Sequence, residues 1–184
     1  MPSIHTTHLR FIYLALIAVT LTSCETMSKE ECLSADWYQV GYQAGRDGEE
    51  RAHIEHIAES CAKAHVMPDR ERYFSGRNEG LRIYCTPENG FYLGKNGTSL
   101  HHVCPPESAI RFEVAYHHGH QVYDARQQVT RLVEKRHKLE EKLDNATTDE
   151  GKKKIRNELE ELDKRLRFAR DTLQFIENES SYLY

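Results

Sequence analysis

The chain has 184 residues, with 25 Lys and Arg against 29 Asp and Glu and a formal net charge of −4. That length suits one domain, or one small domain with an extension. The mildly acidic balance lacks the basic footprint of a nucleic-acid-binding protein, and it supplies no attraction to anionic lipid, so no nucleic-acid partner is expected.

The first ten residues are polar, with Arg10 as their one fixed side-chain charge, and an apolar run follows from Phe11 to Leu21. A helix of that length rises about 16 Å, against about 30 Å of bilayer core, so the run suits the apolar region of a signal peptide and not a membrane span. Leu21-Thr22-Ser23-Cys24 comes next. This tetrad resembles the lipobox of bacterial lipoproteins. The resemblance implies removal of residues 1–23 and lipidation of Cys24, which would hold the chain to a membrane through two or three acyl chains. Two chains anchor a protein stably where one does so marginally. Residue 25 is Glu; an Asp there resembles an inner-membrane retention signal, so the resemblance points to the periplasmic face of the outer membrane, with the inner membrane as the lesser alternative. Replacing Cys24 with Ala should move the protein from the membrane to the soluble fraction on cell fractionation; continued membrane attachment would refute the anchor.

Setting Cys24 aside leaves Cys32, Cys61, Cys85 and Cys104. An even number of cysteines in an exported chain reads as two disulfides. Three connectivities are possible; Cys32–Cys61 with Cys85–Cys104 is favoured because it closes the shortest loops. A four-cysteine zinc site is the rival, and the absence of a closely spaced Cys pair counts against it.

Three segments of the next stretch look related: Trp37-Tyr38-x-x-Gly41-x-x-x-Gly45-x-x-Gly48, Tyr73-x-x-Gly76-x-x-x-Gly80-Leu81, and Tyr116-x-x-Gly119 with Tyr123 in place of a second glycine. Arg46 and Arg77 each follow a glycine. Glycines four apart lie on one helical face and weaken the helix, which is reasonable where another backbone or a large ring comes close. The expectation is short helices whose glycine faces receive Tyr and Trp side chains. Residues 49–65 read as another helix, ended by Pro68-Asp69. Residues 85–104 carry the turn signals Pro87-Glu88-Asn89-Gly90 and Lys95-Asn96-Gly97, and suggest short strands or ordered loop between them. Pro105-Pro106 can then open a helix.

From about Glu107 the pattern is helical. Val122, Ala125, Val129, Leu132, Leu139, Leu143 and Ala146 follow a heptad interrupted by Arg136. A second series, Ile155, Leu159, Leu162, Leu166, Ala169, Leu173 and Ile176, is out of phase with the first. Between them Thr147 and Glu150 match a capping box. The pattern predicts an antiparallel hairpin with arms of about 25 residues, roughly 37 Å each, and a frayed tail from Glu177.

Together, Asp36-Trp37-Tyr38-x-x-Gly41, Tyr73-x-x-Gly76-Arg77-x-x-Gly80-Leu81-x-x-Tyr84-Cys85-Thr86 and Val103-Cys104-Pro105 resemble the domain of unknown function 2799 found among proteobacterial lipoproteins. The resemblance runs from about residue 30 to 124 and implies no activity.

The expected fold is therefore mainly α: a signal peptide (1–23), a small disulfide-clipped helical domain with a turn or β-like excursion (24–124), and a charged coiled-coil hairpin with a short tail (125–184). No catalytic residues, cofactor or metal are expected. The chain lacks a nucleophile motif, and the glycines lack the Lys-Ser/Thr ending of a phosphate loop. The leading expectation is a non-enzymatic envelope protein whose hairpin meets a protein partner. The alternative is a lipoprotein that binds a metal or small ligand, through His53 and His56, His117 and His120, or His101 and His102, or through a Tyr-lined groove.

Overall fold

In the computed structural model, residues 27–180 and 183 are described; the expected signal peptide and Cys24 lie outside them. Seven helices make up most of the described chain: α1 (Lys29–Ser34), α2 (Trp37–Arg46), α3 (His53–Ala62), α4 (Arg70–Tyr84), α5 (Pro87–Lys95), α6 (Pro106–Asp144) and α7 (Asp149–Ser180). No strand occurs among the described residues. The mainly helical expectation holds. The described residues divide into two compact units, one of residues 27–35 and 54–68, the other of residues 36–53 and 69–180.

In the first unit, α1 opens on a reciprocal cap: Ser28 Oγ accepts from the Glu31 amide, and the Glu31 carboxylate accepts from the Ser28 amide. That hydrogen bond holds the Glu31 carboxyl below its ordinary pKa. Cys32 is bonded to Cys61, and Ile54, Ile57 and both cysteines are buried. A helix of 6 residues and one of 10 have little core to share, so the cross-link constrains what burial alone would hold weakly.

The second unit is built on two helix pairs, α2 with α4 and α5 with α6, and on the hairpin of α6 with α7. In the first pair the glycines of each helix receive the backbone of the other. A Cβ on Gly41 would lie 1.9 Å from the Tyr73 carbonyl oxygen, and one on Gly45 would lie 2.2 Å from that of Arg77. In return, Gly76 faces the Tyr38 carbonyl at 1.9 Å and Gly80 that of Tyr42 at 2.1 Å, by the same measure. The expected filling of these faces by Tyr and Trp rings is thus corrected: backbone fills them. Rings do cover two glycines at helix ends. Gly48 and Gly97 have φ of +70° and +69° and lie under the rings of Tyr84 and Tyr123. Glycine alone takes that conformation without strain.

The second pair repeats the first. Gly90 and Gly94 face the carbonyls of Phe112 and Tyr116, and Gly119 faces that of Phe91. Gly90-x-x-x-Gly94-x-x-Gly97 thus stands for Gly41-x-x-x-Gly45-x-x-Gly48, and Phe112, Ala115, Gly119 and Tyr123 stand for Tyr73, Gly76, Gly80 and Tyr84. The amide of Glu49 donates to Ala44, and that of Thr98, its counterpart, to Leu93. Each pair also follows one disulfide rule in chain order. A cysteine ahead of the first helix is bonded to one in the connection ahead of the second: Cys32–Cys61, then Cys85–Cys104. The favoured connectivity is the one present.

Residues 85–104 depart from the expected turn or strand. Thr86 caps α5 by accepting from the Asn89 amide, and Pro87 occupies the first turn, where its missing N–H costs nothing. Only Lys95-Asn96-Gly97 acts as a turn. Leu81, Tyr84, Cys85 and Phe112 form a core against which Leu93, Leu100, Val103 and Cys104 pack, with the Tyr84 and Phe112 rings 5.4 Å apart.

The hairpin seam is formed by Leu132, Leu139, Leu162, Leu166 and Ala169, with Val129, Ile155 and Leu159 at its margin. Arg136, the heptad's interruption, pairs with Glu140 at 2.8 Å and reaches Asp163 on α7 at 3.5 Å. Arg126 pairs with Glu177 across the same two helices at 3.0 Å. The cap of α7 is Thr148, whose hydroxyl accepts from the Gly151 amide at 3.2 Å, and not the expected Thr147 with Glu150. Helix α6 runs unbroken through residues 124 and 125: its 39 residues serve first the α5–α6 pair and then the hairpin, and α7 has 32 residues, longer than the expected arm of about 25. The expected fraying from Glu177 is absent through Ser180.

Candidate functional site

A groove of about 670 Å³ lies in the second unit, between the chain that follows α2, the middle of α4 and the irregular segment ahead of α6. Its walls include Arg51, Arg77, Leu81, Leu100, His101 and Val103. The segment 96–105 forms one wall because Gly97 ends α5 with a reversal and the Cys85–Cys104 bond holds its far end.

Arg77 lies at the base of this arrangement. It sits between Gly76 and Gly80 on the face of α4 that meets α2, and only 4% of it is exposed. One terminal nitrogen, Nη2, donates to the Glu49 carbonyl at 2.6 Å. Its Nε is buried without a hydrogen-bond partner, as is the hydroxyl of Tyr73 one turn earlier. Burial pulls the Arg77 guanidinium below its usual pKa; Tyr73 opposes that shift and Arg51 adds to it. Burial likewise pushes the Tyr73 phenol up, with Arg77 opposing and Glu49 assisting. The Tyr84 phenol is raised for the same first reason.

The other groove charges are placed by neighbours. The guanidinium carbon of Arg51 stands 4.2 Å from the centroid of the Phe74 ring, a stacking contact. Glu50 lies 3.8 Å from His101, and His102 lies 3.0 Å from Glu113 on α6.

The histidines expected as possible ligands are spread over separate carboxylates. His53 is 3.5 Å from Glu49, His56 is 3.9 Å from Glu59, and His120 is 3.2 Å from Asp124. His117 stacks edge-on against Tyr116. Among the described residues, no three His, Cys, Asp or Glu side chains converge as a metal-binding group. Cys32, Cys61, Cys85 and Cys104 are all in disulfides, which leaves none of them as a thiolate for the four-cysteine zinc alternative.

The hairpin offers a second surface. Its seam is closed, yet Phe168 and Phe175 are 72% and 68% exposed on α7. Seven residues is about two turns, so the two rings share one side of the helix.

The sequence marks Arg77 only as an arginine that follows a glycine. A clue was available: an arginine flanked by two face-sharing glycines sits where a neighbouring backbone must pass. Leu100 and Val103, assigned to turn or strand, became groove wall through a fold that their own segment does not encode.

Residues 36–121 match the family described as Protein of unknown function (DUF2799), which supports the resemblance drawn from the Tyr/Gly and Cys motifs. The match begins at the cap of α2 and ends within α6, and so spans both helix pairs. Nothing matches among curated proteins, and nothing among solved structures. No helix among the described residues is long and apolar enough to cross a membrane.

Proposed function

We propose that this chain is an exported lipoprotein, held by Cys24 at the periplasmic face of the outer membrane, that acts by contact with another envelope protein and not by catalysis. The observation that carries the reading is the hairpin. Its apolar seam is satisfied internally, but Phe168 and Phe175 remain in water on one side of α7. Large exposed apolar side chains in an ordered helix are common at surfaces that bind protein, and aromatic residues supply much of the energy there. The lipobox-like tetrad supports the anchor, and the charged flanks of the hairpin keep the arm soluble while leaving that face open.

A photoreactive residue placed at 168 or 175 in the full chain, in cells, tests this. Each position should trap the same envelope protein, whereas a probe at the exposed Lys138 should not, and Phe168→Ser with Phe175→Ser should abolish the complex in pull-downs. Equal trapping at all three positions, or only copies of the chain trapped to each other, would overturn the proposal.

A further inference from the structure

The two helix pairs ask the same service of residues 77 and 116. In each pair, this residue bonds the carbonyl just beyond the glycine-ended helix: Arg77 donates to Glu49 at 2.6 Å, and Tyr116 donates to Thr98 at 2.7 Å. Tyr116 performs it with one neutral hydroxyl. Arg77 brings in addition a permanent positive charge, a planar fork of further donors, and an Nε that finds no partner. The fold has no use for these additions, as the second pair shows. Burying a charge without a counter-charge opposes folding, and Arg77 is buried with no ion pair among the described residues. The excess charge lines an open groove whose size falls within the usual range for small-molecule sites.

We propose that this groove binds a small amphiphilic anion: an oxyanion, carboxylate or phosphate ester, received by Arg77, on an apolar body lying against Leu100 and Val103. A guanidinium fork matches both oxyanions in shape. Arg51, held by Phe74, supplies a second positive charge on the lining. Glu50, the one carboxylate there, is turned to His101 at 3.8 Å. Leu81 and Pro105 extend the apolar wall. The site is independent of the hairpin surface, so either proposal can fail alone.

The test follows the Arg77 Nε–Hε signal by NMR in the full-length chain, together with the melting temperature. The probes are hexanoate, hexyl phosphate, inorganic phosphate and hexanol. Hexanoate or hexyl phosphate should shift the Arg77 signal and raise the melting temperature at millimolar concentration; whichever binds tighter identifies the headgroup. Inorganic phosphate should bind at least about tenfold more weakly for want of an apolar body, and hexanol should leave the Arg77 signal unmoved. The informative variant is Arg77→Tyr, which copies the second pair and retains a donor for the Glu49 carbonyl. It should keep the unliganded melting temperature and lose about tenfold or more in affinity. Leu100→Asp, in an irregular segment, should weaken binding similarly and serves as the deciding variant if Arg77→Tyr does not fold. No shift of the Arg77 signal with either amphiphile, or affinity unchanged in the folded variants, would overturn the proposal.

Discussion

Gly41→Ala should destabilise the second unit by about 3 kcal/mol, the upper part of the usual range for overpacking. The added methyl would stand 1.9 Å from the Tyr73 carbonyl oxygen and 2.7 Å from its carbon. Overpacking is commonly relieved by a side chain changing rotamer, but here the obstacle is the backbone of α4, which Gly45, Gly76 and Gly80 hold equally close further along. The two helices must separate, and every close contact along the pair weakens with them. Gly151→Ala is the control. A Cβ there would meet the Thr148 hydroxyl at 2.8 Å, which can rotate, so the cost of a disturbed cap is set against a gain in helix propensity, each about 1 kcal/mol. Urea unfolding of the oxidised protein, followed by far-ultraviolet circular dichroism, checks both. Equal effects of the two substitutions would refute the backbone-contact account.

Loss of the Cys85–Cys104 bond through a double Cys→Ala substitution should cost about 3–4 kcal/mol in the chain-entropy picture, for a sequence separation of 19. The Cys32–Cys61 bond, separated by 29 residues, should contribute a similar amount. The two should differ in where the loss is felt. Removing Cys85–Cys104 frees segment 96–105, which packs Leu100 and Val103 on the core and walls the groove. Hydrogen exchange should therefore rise there first. Removing Cys32–Cys61 should raise exchange in α1 and in residues 54–68, while the α2–α4 pair keeps its protection. Thermal unfolding of the two double variants, with and without reductant, measures the sizes; a reductant-insensitive wild type would show that neither bond matters to stability.

The hairpin was legible because its code is local and periodic. Two heptad series out of phase cannot share one seam on a continuous rod, and Leu132, Leu139, Leu162, Leu166 and Ala169 close the seam as that argument requires. Where α6 passes from one role to the other was not legible: nothing in the residues near 124 marks an end, since α6 serves the α5–α6 pair and the hairpin with different stretches of one helix. Three of the four glycine-faced helices were also readable, though the third was aligned one turn out: Gly119 stands for Gly80 and not for Gly76, and Tyr123 stands for Tyr84 and not for a glycine. The fourth was hidden by Pro87 and Asn89-Gly90, which fit a turn and a capped first helical turn equally well. Only contact with Phe112 and Tyr116 decides between them. Arg77 illustrates the remaining limit. Its position among glycines is in the sequence, but whether a long cationic side chain escapes to water is decided by what the Glu49 carbonyl and the 96–105 segment do around it. The Thr147–Glu150 reading failed by one residue, because Thr148 offers the same chemistry.

The unbroken course of α6 has a mechanical consequence. Its 39 residues span about 58 Å as one stiff rod. The near end is clamped to α5 through Gly94 and Gly119; the far end carries the turn at 145–148. With no joint between, a sideways load on that turn acts as torque about the clamp. Tension on the hairpin would strain the α5–α6 pair before any flexible hinge could absorb it.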